Sequence, residues 1–233
     1  AETYDGLLND INALHVTPDH AVEALKAAKS GAVAEGSTGG GNGMIAYGFK
    51  GGTGTSSRLV EIGGKVYTVG VLVQANYGKR VDFTVLGVPV GQEIPAGAIS
   101  RRDMGSIIVV IATDAPMSDA NLRQLAKRGT LGIGRTGTSG GYSSGDLFLA
   151  LSVADPVPVP PHAGPVLTRQ CLNWEELDPI YDAAVDATDE AILNAIVAGE
   201  DVESFKPKGQ VCHALDTAQL LEIMRTYGRG PVA

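Results

Sequence analysis

A glycine and a serine stand directly before the most apolar stretch of the chain. Gly105 and Ser106 precede an apolar run at residues 107–112, which predicts a buried strand that begins with a hydroxyl group. A serine hydroxyl needs a base to become a nucleophile. A cut before Ser106 would place its own α-amine, with a reference pKa near ~8, beside the hydroxyl. Gly105 would let the backbone adopt the geometry of that attack. Self-cleavage followed by acyl transfer is therefore one candidate chemistry.

Two other glycine-rich motifs suggest different chemistries. The stretch "GIGRTG" at residues 132–137 matches GxGxxG, and "GYSSG" at residues 141–145 matches GxSxG with Ser143 at its centre. A dinucleotide loop and a nucleophile elbow both require a strand before the motif and a helix after it. Here a predicted helix precedes the motifs and a predicted strand follows them. We therefore interpret "GIGRTG" as a glycine turn and "GYSSG" as a loop.

Cap signals and periodicity predict the elements that must position these residues. Helices are predicted from the N-cap Thr17 to Gly31, from Ser118 to Gly129, within residues 174–198, and from Asp216 to Gly228. Strands are predicted at residues 65–75, from Val81 onward, at residues 106–113 and at residues 146–155. The glycine-rich residues 33–57 include apolar side chains, which favours a wall of closely packed backbone over a flexible linker. Strands in the middle and helices at both ends predict an α+β or layered α/β fold.

Composition excludes several classes of protein. The 233 residues carry a net charge of −8 and contain no basic run, which argues against a nucleic-acid partner. The longest apolar run has six residues, far fewer than the ~20 that a membrane span needs. Two distant cysteines and four scattered histidines form no disulfide framework or metal motif, so no metal and no cofactor are expected. Because the chain begins at Ala1, we expect a processed or truncated N-terminus.

Six blocks, in order, resemble one family over nearly the whole chain. They are "AETYDG", "VAEGSTGGGNGM" with "FKGGTGTSSR", "LVQANYG", "GSIIVVIATDAPM", "LGIGRTG" and "SSGDLFLALS". They resemble the DmpA/BapA family of self-processing L-aminopeptidase/D-esterases and β-peptidyl aminopeptidases. The resemblance implies a four-layer αββα sandwich, similar to Ntn hydrolases but with different strand connections. It also implies self-cleavage between Gly105 and Ser106. Residues 1–105 would form the C-terminal part of an α-chain whose upstream part is missing here, and residues 106–233 the β-chain, together one αββα domain.

The resemblance also implies roles for individual residues. Ser106 matches the nucleophile, and Asn76 matches the asparagine whose amide donates to the oxyanion. Tyr4 matches an active-site tyrosine that assists charge stabilisation. Ser144 and Asp146 match a Ser-x-acid pair that orients the nucleophile, and some members carry Glu where this chain has Asp146. The shorter acid reaches less far, and it could instead hold the substrate ammonium.

The implied function is a serine aminopeptidase or amidase that acts through an acyl-enzyme on Ser106. It would remove α-L, D or β-amino acids from small peptides, amides or esters. The resemblance further implies a homo-oligomer of heterodimers. Composition disfavours nucleic-acid and membrane partners, and the expected compartment is the cytoplasm or the periplasm. The alternative is an N-acyltransferase of the ornithine acetyltransferase type, against which Ser106 argues because those enzymes place threonine at the cut. A phosphate-binding module is a third hypothesis, which the reversed context of "GIGRTG" disfavours.

Overall fold

The structure, a computed structural model, describes residues 3–99, 105–154, 166 and 168–230. In these ranges the strands are β1 Ile45–Ala46, β2 Phe49–Lys50, β3 Gly52–Ile62, β4 Lys65–Asn76, β5 Ser106–Thr113, β6 Leu147–Ser152, β7 Val202–Glu203 and β8 Val211–Cys212. The α-helices in the same ranges are α1 Pro18–Ala27, α2 Val90–Glu93, α3 Asp119–Arg135, α4 Asp178–Val197 and α5 Thr217–Thr226. None of these helices is both long enough and apolar enough to cross a bilayer.

A four-stranded sheet in the order β3-β4-β5-β6 carries the candidate site. The β3–β4 hairpin turns at Gly63 and Gly64, whose φ angles of 59° and 77° suit the left-handed conformation of a tight two-residue turn. Strand β5 runs antiparallel to β4 and parallel to β6. The start of β5 therefore lies beside the end of β4, and the start of β6 lies close by.

Helices α3 and α4 cover one face of the sheet. Side chains buried on β4 and β5 alternate with less buried ones, as expected for strands with one covered face. Two glycines of α3 permit close contact: a Cβ on Gly129 would lie 2.6 Å from Phe148, and one on Gly132 would lie 2.6 Å from Thr188. The helical layer thus fits tightly beneath the strands.

The opposite face is largely open among the described residues. Leu59 is 76% exposed and Leu149 is 54% exposed, although both belong to the central sheet. The four-stranded sheet and the layer of α3 and α4 are therefore two of the four layers predicted.

Most of the predicted elements are confirmed. Strand β5 has the predicted bounds, β4 extends one residue further, and α5 lies between its predicted caps, Asp216 and Gly228. Helix α1 begins after Thr17, although all its side chains are exposed and it ends at Ala27. The glycine-rich residues 33–57 do pack closely, since a Cβ on Gly41 would lie 2.4 Å from a backbone oxygen.

Two predictions about elements were wrong. The strand expected from Val81 is a 3-10 turn, a tight turn and the short α2. Leu86 and Gly87 have φ angles of 49° and 80°, which end any extended run. Helix α3 does not end at Gly129 but continues to Arg135, so most of "GIGRTG" is helical rather than a turn. Contacts with β6 and α4 stabilise these helical glycines, and local propensity does not reveal such contacts.

Candidate active site

The two residues predicted to act on the substrate carbonyl face each other across the sheet. Asn76 ends β4 and Ser106 begins β5, and the two are direct partners in the antiparallel register. Such partners project from the same face with Cβ atoms about 5 Å apart. This face is the one that α3 and α4 leave open. A substrate carbonyl that reaches Ser106 from this side would therefore also be near Asn76.

Two hydrogen bonds fix the orientation of the Asn76 amide. Its Oδ1 accepts from the Ile45 backbone N–H at 2.8 Å, and its Nδ2 donates to the Tyr4 carbonyl at 2.8 Å. The side chain is only 4% exposed. Because an amide nitrogen carries two hydrogens, Nδ2 keeps a second donor for a ligand. The amide is thus oriented before any substrate arrives.

A network of buried hydroxyl groups lies next to the Asn76 end of β4. The hydroxyls of Tyr47 and Tyr77 lie 2.5 and 2.8 Å from Thr136 Oγ1, and Thr136 donates to the Ile133 carbonyl. The Tyr47 backbone N–H donates to the Tyr77 carbonyl at 2.7 Å. Burial, and then the neighbouring Tyr47, raises the pKa of Tyr77 well above its ordinary value. The residue next to Asn76 is therefore a neutral, hydrogen-bonded core residue.

The loop before β6 forms the surroundings of Ser106, the predicted nucleophile. The Gly145 backbone N–H donates to Ser106 Oγ at 3.0 Å. Ser144 Oγ donates to Asp146 Oδ1 at 2.6 Å, and the same oxygen accepts from the Ile107 N–H at 3.3 Å. Ser106, Ser144 and Asp146 are half-buried. The structure therefore brings the predicted Ser-x-acid pair to the residue that follows Ser106.

The residue before Ser106 has no room for a side chain. A Cβ on Gly105 would lie 1.5 Å from the Asn76 carbonyl oxygen, which is shorter than any non-bonded contact. Every residue other than glycine would separate the β4 and β5 ends at this point. The predicted cleavage site thus combines a required glycine with the predicted nucleophile, Ser106, and the predicted amide donor, Asn76.

Tyr4 lies near the site through its backbone. Its carbonyl accepts from Asn76 Nδ2, whereas its ring lies over Gly6, where a Cβ would meet the hydroxyl oxygen at 2.7 Å. The side chain is 42% exposed. The role of this hydroxyl in charge stabilisation stays a prediction.

Two buried cations near the site were not singled out from the sequence. Lys50 Nζ donates to the Gly41 and Gly51 carbonyls, and burial lowers its pKa to about 8. Arg80 donates to four backbone carbonyls and stacks 3.3 Å from the Phe49 ring centre, and burial lowers its pKa to about 10. Charged residues normally predict exposed positions. The only signal was their placement beside glycine-rich or aromatic stretches.

A metal centre has no evident ligands in the part of the chain that the structure describes. No group of three His, Cys, Asp or Glu side chains converges there. The expectation that the protein needs no metal or cofactor stays a prediction.

Comparison with known proteins identifies the family. The model of peptidase family S58 matches residues 1–209. The chain belongs to peptidase family S58. A curated relative, β-peptidyl aminopeptidase BapA of Sphingosinicella microcystinivorans, is 46% identical over 98% of this chain and 61% of its own length. BapA of Sphingosinicella xenopeptidilytica is 43% identical over 86% of this chain and 53% of its own length. The chain thus spans about half to three fifths of these relatives.

Solved structures confirm the fold class. The L-aminopeptidase D-Ala-esterase/amidase of Ochrobactrum anthropi superposes with a TM-score of 0.92 and 48% identity, covering 98% of this chain and 62% of its own. That enzyme is described as a prototype of the serine aminopeptidases and a new variant of the Ntn hydrolase fold. A β-aminopeptidase from Burkholderia sp. superposes with a TM-score of 0.86 and 43% identity, covering 98% of this chain and 64% of its own. The fold of this S58 chain is therefore a layered α/β variant of the Ntn hydrolase fold, as predicted.

Proposed function

We propose that this S58 protein is a self-processing serine aminopeptidase or amidase. The observation that carries the proposal is the geometry around Gly105 and Ser106: a glycine without room for a Cβ precedes a serine that lies directly opposite an oriented amide donor. Membership of family S58 and similarity to aminopeptidases support it.

The first step would be the cleavage of the chain itself. Ser106 Oγ attacks the carbonyl carbon of Gly105, the Gly105–Ser106 C–N bond breaks, and an ester forms while the nitrogen takes the proton. Water then hydrolyses the ester, leaving a carboxylate on Gly105 and a free α-amine on Ser106. This cut would divide the sequence into an α-part ending at residue 105 and a β-part at residues 106–233.

The second step would repeat the chemistry on a substrate. The free α-amine of Ser106 takes the hydroxyl proton while Oγ attacks the substrate carbonyl. The second N–H of Asn76 would stabilise the oxyanion, and such a donor contributes roughly 3–4 kcal/mol to the barrier. The amine product leaves with the proton, and water releases the acid from the acyl-enzyme. Ser144 and Asp146 would hold the β5 start in place, and Tyr4 would assist charge stabilisation.

The substrate class is an N-terminal amino acid linked to a peptide, amide or ester. The relatives' names include both L-aminopeptidase and β-peptidyl aminopeptidase activity, so α- and β-aminoacyl substrates are both to be assayed. The homo-oligomer of heterodimers is a further proposal, which native mass spectrometry checks.

Replacing the nucleophile tests the proposal directly. We expect Ser106→Ala to yield an uncut chain without activity on aminoacyl p-nitroanilides, as measured by intact mass and absorbance. Ser143→Ala is the matched control, because it removes the central serine of "GYSSG", and it should still cut and hydrolyse. A Ser106→Ala variant that yields two chains, or loss of both properties in Ser143→Ala alone, would refute the mechanism. Acetyl-ornithine turnover exceeding amide turnover would instead favour the acyltransferase.

A further inference from the structure

Lys50 is a buried cation that the proposed chemistry leaves without a role. The side chain is 0% exposed, and in the described part of the chain no carboxylate pairs with it. Its ammonium donates to the carbonyls of Gly41 at 2.7 Å and Gly51 at 2.8 Å. Burying an ammonium without a counter-charge is unfavourable. A cation retained at such a cost must hold an arrangement that an apolar side chain would not.

The two carbonyls flank the β1–β2 hairpin: Gly41 precedes β1, and Gly51 follows β2. The Gly41 carbonyl also accepts from the Met44 N–H, and the Met44 carbonyl accepts from the Gly51 N–H. Lys50 Nζ therefore closes a small ring of hydrogen bonds around Met44. This ring fixes where the next residue, Ile45, presents its backbone N–H.

Ile45 connects this ring to the candidate site. It is the antiparallel register partner of Lys50, and its N–H donates to Asn76 Oδ1 at 2.8 Å. Together with the bond from Nδ2 to the Tyr4 carbonyl, this bond decides which end of the amide faces the substrate, since a flipped amide would present oxygen instead of N–H to the oxyanion. The order of contacts is thus Lys50, the ring around Met44, Ile45 and the Asn76 amide.

We infer that Lys50 is a positioning residue that sets the amide orientation of Asn76 for oxyanion stabilisation. The inference rests on the proposed function, in which Asn76 is the oxyanion donor. Lys50 touches no reacting atom and acts through the backbone of residues 41–45. Its effect should therefore vanish when the Asn76 amide is absent, which distinguishes positioning from general support of the fold.

A double-mutant cycle tests this dependence. Lys50→Met, Asn76→Ala and the double variant are assayed with an aminoacyl p-nitroanilide, and kcat is referred to the amount of processed chain measured by intact mass. We expect Lys50→Met to lower kcat by roughly tenfold or more while KM changes less than about threefold, which is the pattern of a lost transition-state interaction. In the Asn76→Ala background, Lys50→Met should cause no further loss beyond about twofold.

Leu220→Ala is the matched control for destabilisation. Leu220 is a buried residue of α5 with no hydrogen bond to the ring, so its effect should be equal in both backgrounds. If Lys50→Met does not fold, as judged by thermal unfolding, Lys50→Gln replaces it and keeps two uncharged N–H donors.

Two results would overturn the inference: an unchanged kcat in the folded Lys50 variant, or the same loss with and without the Asn76 amide. The proposed function fails separately, through a wild-type protein without hydrolysis or an Asn76→Ala variant with full kcat, and the inference would then fall with it.

Discussion

Asn76 and Ser106 are partners on neighbouring strands, yet their surroundings differ. Asn76 is almost fully buried, both ends of its amide are hydrogen-bonded, and the adjacent Tyr77 belongs to a buried network. Ser106 is half-buried, and its hydroxyl accepts a hydrogen bond from the Gly145 N–H, which lies in a largely exposed loop. The Asn76 end of the site, the braced side, is held by buried residues, whereas the Ser106 end, the exposed side, lies near the surface.

This difference suits the two tasks proposed for the residues. A donor to the oxyanion is most effective when it is oriented beforehand, because no reorganisation is then needed during the reaction. The nucleophile has to attack two carbonyls in succession, first that of Gly105 and then that of a substrate. It therefore needs access and freedom on its own side, which a half-buried position provides.

The largest effect is expected on the braced side. Asn76→Ala should lower kcat by about 10²–10³, as measured with an aminoacyl p-nitroanilide. Asn76→Asp sharpens the result, because its carboxylate can still accept from Ile45 but cannot donate. Both variants should lose a similar factor if donation is what matters. If Asn76→Asp retained most of the activity, oxyanion donation by Asn76 would be excluded.

The next effect concerns self-cleavage of the Gly105–Ser106 peptide bond. Gly105→Ala introduces a Cβ only 1.5 Å from the Asn76 carbonyl oxygen, which forces the strand ends apart. We expect self-cleavage to slow by roughly 5- to 150-fold, since overpacking costs about 1–3 kcal/mol. A time course of intact mass after expression measures it.

Gly134→Ala is the matched glycine control. A Cβ there meets nothing within 4 Å, and the position lies inside α3, so cleavage should be unchanged. Normal cleavage in Gly105→Ala would show that close contact with β4 is not needed for processing.

A smaller effect is expected on the exposed side. Asp146→Asn weakens the charged acceptor of Ser144 and of the Ile107 N–H, and hydrogen bonds to charged groups contribute about 1.5–3 kcal/mol. We expect roughly a tenfold lower kcat, with a similar loss in Ser144→Ala. Asp146→Glu keeps the charge and should recover part of the activity. Wild-type activity in all three variants would show that this loop does not assist Ser106.

The sequence predicted the exposed side of this comparison better than the braced side. Strand β5 and the hydroxyl at its start follow from one apolar run after a glycine, and β4 follows from alternation. The family resemblance then selected Asn76, Ser144 and Asp146, which the structure brings together around Ser106. Their chemical roles stay predictions.

The braces were not predictable, because their partners are backbone atoms distant in sequence. Charged residues such as Lys50 and Arg80 normally predict exposed positions, and their carbonyl acceptors leave no pattern of residue types. Gly129 was interpreted as a helix stop because glycine disfavours helices, whereas here it admits Phe148 against α3. Local rules predict elements, but they do not predict which glycine marks a contact between elements.

The smallest effect tests the braced side through pH. The pKa of Lys50 is about 8 in the folded protein, against 10.5 ordinarily, so the unfolded chain binds more protons between these values. The contribution of Lys50 to the free energy of unfolding should therefore rise with pH in this window, by about 1.5 kcal/mol between pH 8 and 9.5. The buried Cys212 thiol opposes this rise above pH 9, because its pKa is raised to about 11.

Chemical denaturation in a Cys212→Ala background isolates the contribution of Lys50. The rise should be present with Lys50 and absent in Lys50→Met, since the methionine carries no titrating group. A parallel pH dependence in the two proteins would mean that the lysine is not held as a desolvated cation. The ring around Met44 would then lack the charge on which its geometry depends.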